Sequence, residues 1–138
     1  MSIVDKVTLK KNLKKKKVFC WGLGDKGQLG TNSTINKNTP NLVTPVDIFN
    51  QTAKFLGSGI GSSSSFLVTE NNQLYAWGSN VDSSLGDSTT TNRLVQTQIS
   101  GIGTTIKSIH SATGGSTTFA IDATGQVFAW GSNSNGFF

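Results

Sequence analysis

Val18-Phe19-Cys20-Trp21-Gly22 recurs as Leu74-Tyr75-Ala76-Trp77-Gly78 and again as Val127-Phe128-Ala129-Trp130-Gly131. The chain holds three tryptophans, and they are the three copies of one position, spaced 56 and 53 residues apart. A period of that size belongs to a supersecondary unit larger than a helix pair. The likeness extends upstream. Lys54–Asn80 aligns without gaps on Lys107–Asn133, with identities at Ser58/Ser111, Gly61/Gly114, Ser63/Ser116, Phe66/Phe119 and Gln73/Gln126.

Each unit reads as short strands. Ala53–Leu56 and Ile106–Ile109 are β-prone runs, and Phe66–Thr69 and Phe119–Asp122 alternate apolar and smaller residues with the two-residue period of a strand. Asn71-Asn72 and Thr124-Gly125 supply hairpin turns before the returning strands Leu74–Trp77 and Val127–Trp130. A weaker strand is predicted around Leu42–Val46 and Leu94–Ile99. The sixteen glycines, with abundant Ser, Thr and Asn between the apolar runs, suit turns and not helices. A single antiparallel unit cannot hide its apolar face, so neighbours must stack about an axis. On that expectation each tryptophan is covered by the next blade, and Trp21, Trp77, Trp130, Phe66 and Phe119 are core residues.

Charge is unevenly placed. Residues 1–17 hold Lys6, Lys10, Lys11, Lys14, Lys15, Lys16 and Lys17 against Asp5 alone, so this segment carries +6 of a net charge of +5 and the remainder, at −1, is close to neutral. The expected organisation is a basic, disordered tail over residues 1–17 and a folded body over 18–138. Lys10, Lys11 and Lys14–Lys17 read either as an import-receptor or nucleic-acid contact, or as a solvated tail that aids solubility. No aromatic residue is interleaved with the lysines, so base stacking is not supported.

Residues fit for chemistry are sparse. His110 is the sole histidine and Cys20 the sole cysteine, too few for a zinc site and unable to form an internal disulfide. Cys20 stands where Ala76 and Ala129 stand and reads as a small apolar filler. The seven carboxylates are scattered through turns without an acid–base pair. Gly59–Ser65 is rich in Gly and Ser but lacks the lysine of a phosphate-binding loop. No catalytic residue, metal or cofactor is expected. No apolar run has the length of a membrane helix or of a secretory signal, so an intracellular location, cytoplasm or nucleus, is expected.

Trp21-Gly22-Leu23-Gly24-Asp25-Lys26-Gly27-Gln28-Leu29-Gly30 resembles the signature of the regulator of chromosome condensation repeat, in which Trp-Gly is followed by a polar stretch and then Gly-Gln-Leu-Gly. Later copies depart from it: Ser83-Ser84-Leu85-Gly86 stands in the second, and Gly136-Phe137-Phe138 occupies the start of the motif in the third. A histidine that the family often carries before the strand phenylalanine is replaced by Ser64 and Thr117.

The resemblance implies an all-β, seven-bladed propeller of four-stranded antiparallel blades. This chain would supply about two of the blades and half of a third signature. It is then either a fragment or truncated product, or a chain that completes a ring with other chains, and it leaves exposed strand edges. Trp21, Gly22, Trp77, Gly78, Trp130 and Gly131 are its structural signature. The functional expectation is a non-catalytic protein-interaction module whose contact loops carry Gly24, Asp25, Lys26, Asn80, Val81 and Asp82. The alternative the resemblance implies is a guanine-nucleotide exchange factor for a Ran-type small GTPase, given a whole propeller. Relatives that bind chromatin carry a basic N-terminal tail, and such repeats also accompany ubiquitin-ligase or kinase domains.

Overall fold

The Trp-Gly dipeptide decides the local geometry of every unit. In the computed structural model, which describes residues 17–43, 52–59, 61–102, 105–114 and 116–136, the glycines after the tryptophans have φ of +104°, +101° and +101° at Gly22, Gly78 and Gly131. L side chains avoid that region, and the ladder slips there: the register shifts between Cys20 and Gly22 and again between Ala76 and Gly78. The returning strand thus bends at its tryptophan and delivers the chain into the loop that follows.

Nine strands form three antiparallel sheets among the described residues. The first blade pairs β1 (Phe19–Gly22) with β2 (Lys37–Leu42). The second is complete and runs β3 (Ala53–Gly57), β4 (Ser64–Thr69), β5 (Leu74–Gly78) and β6 (Arg93–Ile99) in chain order. The third holds β7 (Ile106–Ser111), β8 (Thr117–Asp122) and β9 (Val127–Gly131). A 3-10 turn at Val81–Ser83 is the one helical element described. The hairpin turns lie where expected, with positive φ at Asn72 and Gly125. The weak strand expected at Leu42–Val46 is displaced: β2 ends at Leu42 and contains Pro40. Proline is tolerated because β2 is an edge strand with β1 as its partner. Residues 44–46 lie outside the described residues.

Both faces of the second blade are apolar, and each is covered. Phe66, Val68, Leu74 and Ala76 turn toward the third blade and cluster with Ile106, Ile109 and Ala120. Leu67, Tyr75 and Trp77 turn the other way, where Val18 packs against them. This is the strand alternation of β4 and β5 with both sides buried, as stacked blades require. Trp130 meets Phe66 across the second contact, edge to face, with ring centroids 6.4 Å apart.

The expected core is corrected in three places. Trp77 and Phe66 are fully buried, but Trp130 and Phe119 are half-buried and Trp21 is 61% exposed. The difference follows from neighbours. Trp77 has β6 beside β5 and the first blade's loop over it, Trp130 has no described strand in the place of β6, and Trp21 has no described blade before it.

Candidate interaction surface

The loops after Trp-Gly join successive blades. Trp77 Nε1 donates to the carbonyl of Gln28 at 2.8 Å, and Trp130 Nε1 donates to the carbonyl of Ser84 at 2.9 Å. Gln28 and Ser84 hold the same place in successive repeats. Each carbonyl also accepts a hydroxyl, from Ser65 Oγ at 2.9 Å and from Thr118 Oγ1 at 2.8 Å. The glycine two residues on lies flat against the same indole. A Cβ on Gly30 would stand 2.9 Å from Trp77 Nε1, and one on Gly86 2.8 Å from Trp130 Nε1. The Gly-Gln-Leu-Gly signature is therefore a joint, with a carbonyl to receive two donors and a glycine to admit an indole. It also corrects the expected direction of packing: Trp77 and Trp130 are each covered by the preceding blade.

Ser64 and Thr117 have a repeated task as well. Their hydroxyls donate to the carbonyls of Ser79 and Ser132 at 3.0 and 2.8 Å, fixing the start of each loop just beyond Trp-Gly. The Gly/Ser-rich stretch before them serves packing, since a Cβ on Gly59 would stand 2.0 Å from the carbonyl oxygen of Ser111.

The tips of the same loops reach solvent. Asp25 and Lys26 are exposed at the tip of the first loop and lie 3.9 Å apart, and Val81 (59% exposed) and Asp82 form the tip of the second. Two of the residues expected at the contact are instead buried. Gly24 packs where a Cβ would stand 2.8 Å from the carbonyl oxygen of Ile35, and Asn80 is fully enclosed. Neither presents a side chain to a partner. They are the posts on which the tips stand.

Asn80 organises the second loop. Its Nδ2 faces Asp87 Oδ1 at 2.8 Å, Thr89 O at 3.0 Å and Thr91 O at 3.1 Å, while its Oδ1 accepts from the amide of Leu85 at 2.9 Å. Its own amide donates to Asn92 Oδ1 at 2.8 Å, just as the amide of Gly24 donates to Asn36 Oδ1 at 3.0 Å. Asp87 completes the cluster, bonded to Thr89 and paired with Arg93 Nε at 2.6 Å. Burial pushes the Asp87 carboxyl up, but the donors Thr89, Arg93 and Asn80 outweigh it and hold the group below its ordinary value of 3.8. A depressed folded-state pKa stabilises above the unfolded value and is lost as pH falls through the folded one. The protection of the Leu85 and Thr89 amides, that is their exchange relative to the free-peptide rate at each pH, is accordingly expected to hold steady from neutrality down to about pH 5 and to fall, relative to amides of β4, below about pH 4. A parallel response in both sets would refute a local role for Asp87.

Among the lysines of the tail, Lys17 is exposed and the others expected at a contact, Lys10, Lys11 and Lys14–Lys16, lie outside the described residues. Cys20 is half-buried, and burial pushes its thiol up. His110 is exposed. Among the described residues no group of three His, Cys, Asp or Glu side chains comes together, and no helix is long and apolar enough to cross a membrane.

The family model of the regulator of chromosome condensation (RCC1) repeat matches residues 16–68 and 71–121, and a second model of the same repeat matches 110–136. Among curated proteins, the human probable E3 ubiquitin-protein ligase HERC6 is 31% identical over 124 residues, 88% of this chain and 12% of that protein. The human E3 ubiquitin-protein ligase HERC2 is 26% identical over 86% of this chain, which is 2% of HERC2. Among solved structures, human WBSCR16 superimposes with a TM-score of 0.73 at 22% identity, over 86% of this chain and 29% of that one. Prp20p of Saccharomyces cerevisiae, described with its binding to Gsp1p and histones, gives 0.68 at 20% identity over 86% and 30%. The chain thus spans a small part of the relatives it matches. The likeness to solved structures establishes an arc of a β-propeller, and with the repeat matched along most of its length, the chain belongs to the regulator of chromosome condensation repeat family.

Proposed function

We propose that this chain is a non-catalytic protein-binding module that engages its partner through Asp25, Lys26, Val81 and Asp82. The observation that supports this most is the division of labour within the loops. Buried posts at Gly24 and Asn80 hold the backbone, and exposed tips stand beside them at the same place in successive blades. Rigid presentation lowers the ordering cost of binding, and loops carried on a scaffold are where such folds place their contacts. The tips combine both charge signs with an exposed valine, which suits a mixed polar and apolar protein surface better than a phosphate backbone. Protein partners are also named for the structural neighbours: Gsp1p and histones for Prp20p, and Kap60 for the same yeast protein in a second structure.

The test uses the 138-residue chain with a Ran-type GTPase, core histones and a Kap60-type import receptor as probes. Binding to one of them is expected to weaken about tenfold or more on the paired change Val81→Arg and Asp82→Lys. Removal of Met1–Lys17 is expected to affect only a contact made by the lysines. Nucleotide release from the GTPase is expected to be unchanged by the chain. Faster release would replace this reading with the exchange-factor one, and binding indifferent to both tips would remove it.

A further inference from the structure

Asparagine is followed by glycine at one place in the sequence, Asn135-Gly136. The repeat spacing sets Asn135 where Lys26 and Asp82 stand, at the tip of the loop after Trp130-Gly131. All three tips are exposed. Asp82 stays exposed on a blade covered on both faces, so exposure belongs to the position itself. A tight turn shapes the backbone here. Gly136 N donates to Asn133 O at 2.9 Å, as Ser83 N does to Asn80 O at 3.1 Å and Gly27 N to Gly24 O at 2.9 Å. Gly136 has φ of +68°, and among the described residues no atom beyond its chain neighbours lies within 4 Å of where its Cβ would stand. The peptide nitrogen after Asn135 thus has no side chain beside it and open space around it. Asn80 is the contrasting case: it is enclosed, its amide is held by Asp87 and Thr89, and the β-branched Val81 follows it.

We propose that Asn135-Gly136 modifies itself in the folded chain and turns the neutral tip of the third loop acidic. The Gly136 peptide nitrogen attacks Cγ of Asn135. A C–N bond forms, the side-chain amide leaves as ammonia carrying the peptide proton, and a cyclic imide results. Water, the sole co-reactant, then adds to either imide carbonyl and opens the ring. One opening gives aspartate and restores the main chain. The other gives isoaspartate, with the main chain routed through the former side chain and lengthened by a methylene. The inference goes beyond the partner-binding reading and does not rest on it, since the reaction depends on the turn alone. Attack requires the bond from Gly136 to Asn133 to open, and an exposed turn bond opens at small cost. The aspartate product repeats the carboxylate that Asp82 carries one blade earlier.

Incubation of the full 138-residue chain, folded, at neutral pH and physiological temperature tests this. Isoelectric focusing is expected to show a species with one added negative charge accumulating with time. Isoaspartyl methyltransferase with a labelled methyl donor is expected to mark the peptide that holds Asn135. Asn135→Gln is expected to remove that species, because the longer side chain closes a ring poorly. Gly136→Ser is expected to slow its formation about tenfold, because a side chain crowds the attacking nitrogen. Serine already occupies this position in the second loop, where Ser83 has φ of +60°, so circular dichroism of the variant is expected to match the parent. An acidic species that forms equally in the parent and in Asn135→Gln places the reaction at another asparagine and overturns the proposal. Equal rates in the parent and in Gly136→Ser overturn it too, since the bare glycine nitrogen would then have no part. So does a folded chain that stays unmodified, whether or not the same chain reacts in denaturant.

Discussion

Trp77→Ala is expected to abolish the cooperative thermal unfolding of the chain, whereas Trp77→Phe is expected to lower the midpoint by only a few degrees. The contrast follows from what each change removes. Alanine empties a fully enclosed site between the first and second blades, and a buried tryptophan replaced by alanine costs about 3–5 kcal/mol. A small domain has about 5–15 kcal/mol in all, so this one site is a large share of the total. Phenylalanine keeps most of the volume and loses the indole donor. The Gln28 carbonyl still receives the Ser65 hydroxyl at 2.9 Å, so it is not orphaned, and the loss is close to that of one ordinary hydrogen bond, about 1 kcal/mol. Calorimetry of the two variants at one concentration separates the outcomes. A Trp77→Ala chain that unfolds as sharply as the parent would mean that the blades do not depend on this joint.

How far these features were legible in the sequence depends on whether they are local. The recurrence of Trp-Gly and the alternation in Phe66–Thr69 report strand period and blade count directly, because side-chain direction along a strand follows residue number. The direction of stacking is not carried that way. Trp77 and Phe66 point to opposite faces, and nothing in either segment says which face meets the earlier blade. That information lies in the complementary pair, an indole on one side and a Gly-ended loop on the other. It could have been read from hydroxyls recurring at Ser65 and Thr118, each directly before the strand phenylalanine. Trp21 departs from the core environment its repeat position predicts because a repeat predicts the same environment for every copy, whereas burial depends on the blade beside it.

The loops after Trp-Gly show the same limit. Asp25, Lys26, Val81 and Asp82 are exposed because loop tips generally are. Gly24 and Asn80, equally plausible as turn residues, are enclosed by a segment that returns from farther along the chain. A signal was available: Asn36 and Asn92 each stand twelve residues beyond the position they bond, Gly24 and Asn80. A polar residue recurring at the repeat period directly before a strand, as Asn36 precedes β2 and Asn92 precedes β6, marks a side chain that closes a loop.

Asn80 therefore offers the sharpest separation between holding the loop and touching the partner. Asn80→Ala is expected to destabilise the chain by about 2–5 kcal/mol, because the buried Leu85 amide loses its acceptor and the Asp87 carboxylate loses a donor, at about 1–3 kcal/mol for each buried group left short. Asn80→Asp is isosteric, yet it sets a second carboxylate against Asp87 where the parent has a donor at 2.8 Å. Two buried carboxylates so placed cannot both ionise, so the pair titrates with one pKa raised above the unfolded value. A raised folded-state pKa stabilises below the unfolded value, and that stabilisation is lost as pH rises through the folded one. Asn80→Asp is thus expected to be more stable near pH 4 than at pH 7, whereas the parent, with Asp87 held low, weakens on acidification. Opposite slopes in paired thermal melts would place Asn80 and Asp87 in one hydrogen-bonded unit, and parallel slopes would separate them. Since Asn80 has no exposed surface, any loss of partner binding in the alanine variant should be recovered at low temperature, where the loop refolds. A loss that persists in the folded variant would make Asn80 part of the contact itself.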